Sequence, residues 1–348
     1  MSRAPSVVVV TGASSGIGLE TVALLRARGD HVVLASRSPE ALRAAVAGTT
    51  PTGPTPDGTV PGRVLVVPTD VGDRDAVEAL FAAARAELGR VDAVVHAAAV
   101  LAYGRFDDVP ADVYDRALQT TLIGTANVAR CALAEFGPRE RGSLVVVGSL
   151  LGKIATPLMS SYVTAKWGVH GLVRCLQLEA RSTPGIEVSL VSPGGVDTPI
   201  YHLAGTYVGR HGKPPPPVVP AAKVARAVVR CLDHPRRDVN ADLGPANAVT
   251  VLGFRAMPAV FDLLVGPLLR WTGFGAAAPE PTPGNVTGPR PLLEASSGGF
   301  GSVPLDLPEP VRRAVPAGLP RAATAVVLGA GVTSAAVRWA TRRVSAGR

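Results

Sequence analysis

A serine, a tyrosine and a lysine near the middle of the sequence have side chains suited to proton transfer. Ser149 follows an apolar run, and Tyr162 and Lys166 come after it, four residues apart and followed by apolar residues at helical spacing. A helix would place the phenol and the ammonium group on one face. A phenol with a pKa of about 10 is a weak acid and base at pH 7, and a nearby cation lowers that pKa. The spacing predicts a general acid–base site of Tyr162 and Lys166, with Ser149 bonding the reacting oxygen.

A glycine-rich turn near the N-terminus favours this site over an incidental Tyr/Lys pair on a surface helix. The apolar run Val7–Val10 leads into T-G-A-S-S-G-I-G at 11–18 and then into an apolar helical pattern. Glycines in a strand-to-helix turn let the backbone approach a diphosphate, whose charge the helix N-terminus favours. The predicted cofactor contacts in this turn are Gly12, Ser14, Ser15, Gly16, Ile17 and Gly18.

The turn and the Ser149, Tyr162 and Lys166 set together resemble the short-chain dehydrogenase/reductase family over residues 5–200, with a weaker continuation to residue 245. The resemblance implies hydride transfer between a nicotinamide cofactor and a small-molecule carbonyl or secondary alcohol. Alternating strands and helices predict an α/β fold of the Rossmann type, a doubly wound parallel sheet with helices on both faces, in residues 1–245. Residues 246–348 are predicted to form an irregular and partly helical C-terminal extension.

Further cofactor contacts are implied at the carboxyl ends of the strands. His31–Ala35 is followed by Ser36 and Arg37 without a carboxylate, and an arginine there accommodates a 2′-phosphate, which favours NADP(H) over NAD(H). A solvent-facing loop arginine is the alternative. Asp70 is expected to meet the adenine, to cap the helix starting near Asp73, or both. The other implied contacts are Val71, Ala97, Tyr162, Lys166, Pro193, Gly194, Val196 and Thr198.

Two segments depart from the family's pattern. Where the family has Asn-Asn-Ala-Gly, this chain has His96-Ala97-Ala98-Ala99, and His96 is expected to replace part of the missing asparagine bonding. The family's proton-relay asparagine aligns with Thr121, which either keeps an altered relay to the catalytic lysine or packs its helix against the sheet. These departures leave a second hypothesis open, a non-catalytic NADP(H)-binding sensor or interaction protein on the same fold.

The C-terminal half is less informative about function. Ile200–Val219 is expected to form a loop that covers the substrate. Alternatively, its proline run is a rigid spacer or a partner-binding element. Val249–Trp271 is predicted to be a helical flap, a dimer surface or a membrane-surface contact, because charges and prolines interrupt it before the roughly 18 apolar residues that spanning requires. Residues 275–320 are expected to be irregular, and Ala322–Val337 to form a terminal helix on the protein or on a membrane.

Composition and charge limit the classes of function. The 348 residues carry a net charge of +8, and the excess lies from residue 200 onward, where 17 Lys/Arg face 8 Asp/Glu. This basic charge comes without a nucleic-acid-binding motif, so nucleic acid is not an expected partner. Three scattered cysteines argue against a disulfide framework or a metal site, and the early strand argues against a signal peptide. A cytoplasmic protein is predicted, peripheral to a membrane if the extension touches one, and the family resemblance implies a homo-oligomer.

Overall fold

A computed structural model describes residues 5–49, 62–241, 245–277 and 280–302. The strands are β1 Val7–Thr11, β2 His31–Ser36, β3 Val64–Pro68, β4 Ala93–His96, β5 Ala102–Tyr103, β6 Gly142–Val147, β7 Ile186–Pro193, β8 Gly195–Asp197, β9 Gly205–Thr206, β10 Arg210–Gly212, β11 Val218–Pro220, β12 Asp238–Ala241 and β13 Phe274–Ala277. The α-helices are α1 Gly16–Ala27, α2 Pro39–Gly48, α3 Arg74–Leu88, α4 Ala111–Leu118, α5 Gly124–Phe136, α6 Ser160–Glu179, α7 Ile200–Leu203, α8 Ala221–Asp233, α9 Ala246–Ala256 and α10 Pro258–Thr272.

Seven of these strands form one parallel sheet in the order β12-β7-β6-β4-β1-β2-β3. Its central strands β1, β2, β4 and β6 are mainly apolar runs, because helices cover both faces there. In β1, Val8 and Val10 belong to the apolar core that includes α1 and α8, whereas Val7 and Val9 belong to the core that includes α3, α5 and α6. The predicted doubly wound Rossmann-type sheet is confirmed.

The strand order reverses between β1 and β4, whose connections run to opposite sides of the sheet. In open parallel sheets, ligands bind at the carboxyl ends of the strands beside such a reversal. Thr11 ends β1 and His96 ends β4 there, so the predicted glycine turn opens at the reversal point.

The segment predicted as a substrate loop is more ordered than a single loop. It contains α7 and three short strands, of which β10 pairs with β13 and β11 pairs with β8. Its proline run packs against the loop after β7, since a Cβ atom added at Gly195 would lie 2.3 Å from the carbonyl oxygen of Pro215. The prolines therefore support that loop, and their alternative roles as a rigid spacer or a partner-binding element stay predictions.

The apolar stretch after residue 245 forms the two helices α9 and α10. Leu269 of α10 packs in the apolar cluster that includes Tyr162 and Phe274, as expected of a flap. Leu263, Leu268 and Trp271 on the same helix are exposed. Within the described residues, every helix is too short or too polar to cross a membrane.

Residues 280–302, called the strap below, run back across the carboxyl edge of the sheet. They are irregular as predicted, apart from the 3₁₀ turn Pro291–Leu293 and a β-bridge between Thr282 and Thr206. The prediction that residues 275–320 are irregular is wrong at residues 275–277, because these belong to β13, which pairs with β10. The helix predicted at Ala322–Val337 lies outside the described residues.

Candidate active site

The loop after β6 and the start of α6 bring Ser149, Tyr162 and Lys166 together. Ser149 begins a 3₁₀ turn, where its hydroxyl accepts a hydrogen bond from the backbone N–H of Leu151 at 3.1 Å. Tyr162 and Lys166 lie one turn apart on α6, and the Lys166 Nζ atom is 5.6 Å from the centroid of the Tyr162 ring. The three groups predicted to do chemistry therefore converge.

Burial controls the protonation of these groups. It raises the pKa of Tyr162 to about 12, although a hydrogen bond with the Ser149 hydroxyl opposes the shift. Burial also lowers the pKa of Lys166 to about 8. The predicted net lowering of the Tyr162 pKa is thus wrong for this structure, although the Lys166 charge still favours the phenolate form. The reason is that Lys166 Nζ donates to the carbonyl oxygen of Val147 at 2.9 Å, and desolvation of the phenolate dominates.

His170 supports the catalytic end from one turn further along α6. Its Nε2 atom accepts a hydrogen bond from the backbone N–H of Ser149 at 3.3 Å. Burial, followed by the charges of Lys166 and Lys153, lowers the pKa of His170 to about 4, so the ring is neutral at pH 7. Sequence reasoning missed His170, although its place four residues after Lys166 on the same helix face was a signal.

His96 links β1 to α5 beneath the cleft. The Thr125 hydroxyl donates to the carbonyl oxygen of Thr121 at 2.7 Å, so its oxygen accepts from His96 Nε2 at 3.0 Å. The Nδ1 atom then accepts from the Thr11 hydroxyl at 2.8 Å. Burial and the charge of Lys166 lower the pKa of His96 to about 3. His96 is a neutral bridge, as expected of a residue that replaces an asparagine in bonding.

Thr121 lies in a π-helical turn, Gln119–Ile123, between α4 and α5. Such turns are frequent at functional sites. The Thr121 hydroxyl accepts from the backbone N–H of Val100 at 3.2 Å and donates to its carbonyl oxygen at 3.4 Å. These bonds hold the loop after β4 against the π-helical turn, and a proton-relay role for Thr121 stays a prediction.

The glycine turn has the tight geometry that its sequence predicts. Gly12 has a φ of +69°, and a Cβ atom added to it would lie 2.8 Å from the backbone nitrogen of Ala98. A Cβ atom at Gly18 would lie 2.0 Å from the carbonyl oxygen of Gly12. Glycine is required at both positions because the end of β4 and the start of α1 come so close to the turn.

One cavity brings the turn together with the other strand ends. Predicted cofactor contacts line it together with two residues of the strap, Asn285 and Glu294: Gly12, Ser14, Ser15, Gly16, Ile17, Gly18, Arg37, Asp70, Val71, Ala97 and Thr198. The helix N-terminus at the glycine turn and the buried acceptors without donors at Asn285 and Glu294 fit a dinucleotide, whose diphosphate a helix N-terminus favours and whose adenosine presents hydroxyl and amino groups. Pro193, Gly194, Val196, Ser149, Tyr162 and Lys166 lie outside this lining.

The cavity lining includes Arg37 and Asp70, the two residues predicted to contact the adenosine part of a cofactor. Arg37 donates to two carbonyl oxygens of the strap, so it is not a solvent-facing loop arginine. Asp70 accepts from the backbone N–H of Gly72 at 2.9 Å and forms an ion pair with Arg116. The prediction that Asp70 caps the next helix is wrong, because Asp73 caps α3 by accepting from the N–H groups of its first turn.

The segment from Pro193 to Thr198 borders the cavity on the other side. Thr198 is buried and meets the glycine turn, where a Cβ atom added at Gly16 would lie 3.0 Å from its methyl group. Gly194 packs on the Asn247 side chain, which donates to the carbonyl oxygen of Ser192 at 3.3 Å. These contacts fix the loop from below, through an α9 residue that sequence reasoning missed.

Tyr162 packs against an apolar cluster. Its buried members include Tyr103, Met159, Leu269 and Phe274, and Tyr201 packs against it. Burial raises the pKa of both Tyr103 and Tyr201, so these phenols are protonated at pH 7. The arrangement can present an apolar surface beside one acid–base group.

The fold and this site define a class, the Rossmann-type oxidoreductases that use a nicotinamide dinucleotide. The chain belongs to the short chain dehydrogenase family, whose sequence profile matches residues 6–206. The family uses NAD(P) cofactors.

Similar proteins support this membership. The chain is 31% identical over 266 residues to YxnA, an uncharacterized oxidoreductase of Bacillus subtilis, and the match covers 76% of this chain and 72% of that one. It is 33% identical over 201 residues to human dehydrogenase/reductase SDR family member 7, covering 57% and 58% of the two chains.

Solved structures of oxidoreductases are also similar to this chain. Levodione reductase matches with a TM-score of 0.59 and 25% identity, over 70% of this chain and 98% of that one. An alcohol dehydrogenase of the archaeon Thermococcus sibiricus, solved with 5-hydroxy-NADP, matches with a TM-score of 0.56 and 25% identity, over 68% and 95%.

Proposed function

We propose that this protein transfers a hydride between NADP(H) and a carbonyl or secondary-alcohol substrate, with Tyr162 as general acid and base. The observation that carries the proposal is the convergence of Tyr162, Lys166 and Ser149 beside an apolar cluster. When bound, the cofactor supplies or accepts the hydride at C4 of its nicotinamide.

Each catalytic side chain has a distinct task. The phenol of Tyr162, with a pKa of about 12, is protonated at pH 7 and can donate its proton to a carbonyl oxygen in reduction. In oxidation it must accept a proton, and the Lys166 charge favours the phenolate that does so. Ser149 bonds the substrate oxygen, and Lys166 also binds the nicotinamide ribose. Thr121 is proposed to connect Lys166 to a proton relay.

The preference for NADP(H) over NAD(H) rests on Arg37. Its guanidinium carries five N–H donors, and two of its nitrogens bond strap carbonyl oxygens, so donors remain for a 2′-phosphate. The structurally similar archaeal enzyme was solved with an NADP derivative, which is in line with this proposal. A cytoplasmic location, a homo-oligomer and a membrane contact through the extension stay predictions.

The test compares Tyr162→Phe with wild type in NADPH and NADH consumption against a panel of ketones and aldehydes. We expect turnover to fall by about 10²–10⁴-fold, the usual contribution of a general acid, while NADPH binding is kept. Tyr114→Phe is the control, because that half-buried phenol donates to Thr164 at 3.2 Å and lies outside the cavity lining. Unchanged turnover in Tyr162→Phe contradicts the proposal. Tight NADPH binding without turnover by the wild type, in either direction, favours the sensor.

A further inference from the structure

The strap is fastened to the carboxyl edge of the sheet at both ends. Near its start, Thr282 and Thr206 exchange two backbone hydrogen bonds of 3.0 and 2.8 Å. Near its end, the Asp197 carboxylate accepts from the Ser297 hydroxyl at 2.7 Å and from three backbone N–H groups of residues 298–301. Burial acts to raise the pKa of Asp197, but these bonds outweigh it and lower that pKa. The strap is therefore a fixed part of the fold.

Between these ends, the strap contacts two groups expected to hold the cofactor. The Arg37 guanidinium donates to the carbonyl oxygens of Asn285 at 2.6 Å and Val286 at 3.3 Å. The backbone N–H of Gly16, at the start of α1, donates to the carbonyl oxygen of Ala295 at 2.8 Å. Because Arg37 and Gly16 lie at the adenosine and diphosphate sides of the cleft, the strap forms a wall along that half.

Two buried acceptors of this wall lack a donor among the described residues. They are Oδ1 of Asn285, whose side chain is more than nine-tenths buried, and Oε2 of Glu294. Both residues line the cavity with Gly16, Arg37 and Asp70. A buried acceptor without a donor is costly, and more so on a carboxylate. The adenosine half of the cofactor presents the missing donors, its ribose hydroxyls and its adenine amino group.

Glu294 also changes the charge of the adenosine subsite. The sequence has no carboxylate at the end of β2, the usual partner of a ribose 2′-hydroxyl, and Asp70 is paired with Arg116. Glu294 brings a carboxylate there from far along the chain, close enough for its charge to act on Arg37. A 2′-phosphate carries nearly two negative charges and is repelled by Glu294, whereas a 2′-hydroxyl can donate to it.

We propose that the strap is the outer wall of the adenosine subsite and that Asn285 and Glu294 recognise the cofactor. Asn285 binds the part of adenosine that both cofactors share. Glu294 repels the 2′-phosphate that Arg37 attracts, and it thereby sets how strongly the site prefers NADP(H) over NAD(H). This inference rests on the proposed function, since it requires that the cleft bind a dinucleotide.

The test measures dissociation constants by titration calorimetry for NADPH and NADH, and for 2′,5′-ADP and 5′-AMP, which report on the adenosine end alone. Glu294→Gln is expected to tighten NADPH and 2′,5′-ADP by about tenfold through loss of charge repulsion, and to weaken NADH and 5′-AMP a few-fold. Asn285→Ala is expected to weaken all four by a similar factor. Glu280→Gln is the matched control, because it removes the same charge from an exposed position on the strap.

Several outcomes separate this inference from the proposed function. If the wild type binds neither dinucleotide, the proposed function fails and the inference with it. If the wild type binds them and Glu294→Gln leaves the NADPH-to-NADH affinity ratio as in Glu280→Gln, only the inference is overturned. Equal tightening of both cofactors by Glu294→Gln also overturns it. Melting curves of each variant confirm that the fold is kept.

Discussion

The two ends of the cleft are assembled from different kinds of sequence. At the catalytic end, Ser149, Tyr162 and Lys166 come from the single unit of β6, its following loop and α6. At the adenosine end, Arg37 meets the carbonyl oxygen of Asn285, which lies 248 residues further along the chain. The residues proposed to carry out the reaction are therefore close together in the sequence. The residues proposed to select the cofactor are far apart in the sequence, and only the folded chain brings them together.

The largest expected effect tests the catalytic end. Lys166→Met should lower kcat by about 10²–10⁴-fold, because the phenolate of Tyr162 loses its neighbouring cation. Lys153→Met is the matched control, since that lysine bonds Asp238 and Asn240 at the surface. The measurement is the initial rate of NADPH consumption by the two variants and the wild type. A Lys166 variant that keeps wild-type turnover would mean that acid–base chemistry is located elsewhere.

The glycine turn lies between the two ends of the cleft. Its close packing is tested by comparing the stability lost in Gly12→Ala with that lost in Gly89→Ala. Both glycines have positive φ, +69° and +81°, so both alanines incur about 1–2 kcal/mol of left-handed strain. An added Cβ meets backbone atoms at 2.8 Å only at Gly12, whereas at Gly89 it meets nothing within 4 Å. Overpacking should add about 1–3 kcal/mol at Gly12. Urea denaturation measures the difference, and equal losses would contradict the close approach to Ala98.

The buried His96 should make the stability of the fold depend on pH. Its pKa is about 3 in the folded chain, against about 6.5 when unfolded, so between these values the unfolded state binds the extra proton. Stability therefore rises with pH over this window and is lost as pH falls from 6.5 to 3. His96→Asn should make that loss shallower, and should cost about 1 kcal/mol at pH 7 through a lost hydrogen bond. His170, with a pKa of about 4, keeps part of the slope in both proteins.

Thermal melting across pH 4 to 8 compares the two proteins. Parallel curves for wild type and His96→Asn would show that His96 is not the buried neutral bridge described above. A steeper loss in the variant would contradict the sign of its pKa shift.

The same contrast explains how much could be predicted from the sequence. Apolar runs and the spacing of Tyr162 and Lys166 were sufficient for the parallel sheet and for the convergence of the catalytic groups. The direction of the Tyr162 pKa was not predictable, because it depends on burial. The strap was expected only to be irregular, since its Pro/Gly-rich composition fixes no periodicity and its anchor on Asp197 lies 100 residues away from Ser297.

The smallest expected effect is that of Asp197, which anchors the strap, on cofactor affinity at the adenosine end. Asp197→Asn replaces a carboxylate that collects four hydrogen bonds from the strap with an amide that cannot accept all four at equal strength. The strap should loosen, and amide hydrogen exchange at residues 297–301 should rise. Because Glu294 is then held less firmly, the NADPH-to-NADH affinity ratio should move a few-fold in the direction of Glu294→Gln. Faster exchange with an unchanged ratio would separate the anchor from cofactor choice, and would show that the backbone bonds from Glu294 to Pro291 and from Gly16 to Ala295 hold Glu294 in place.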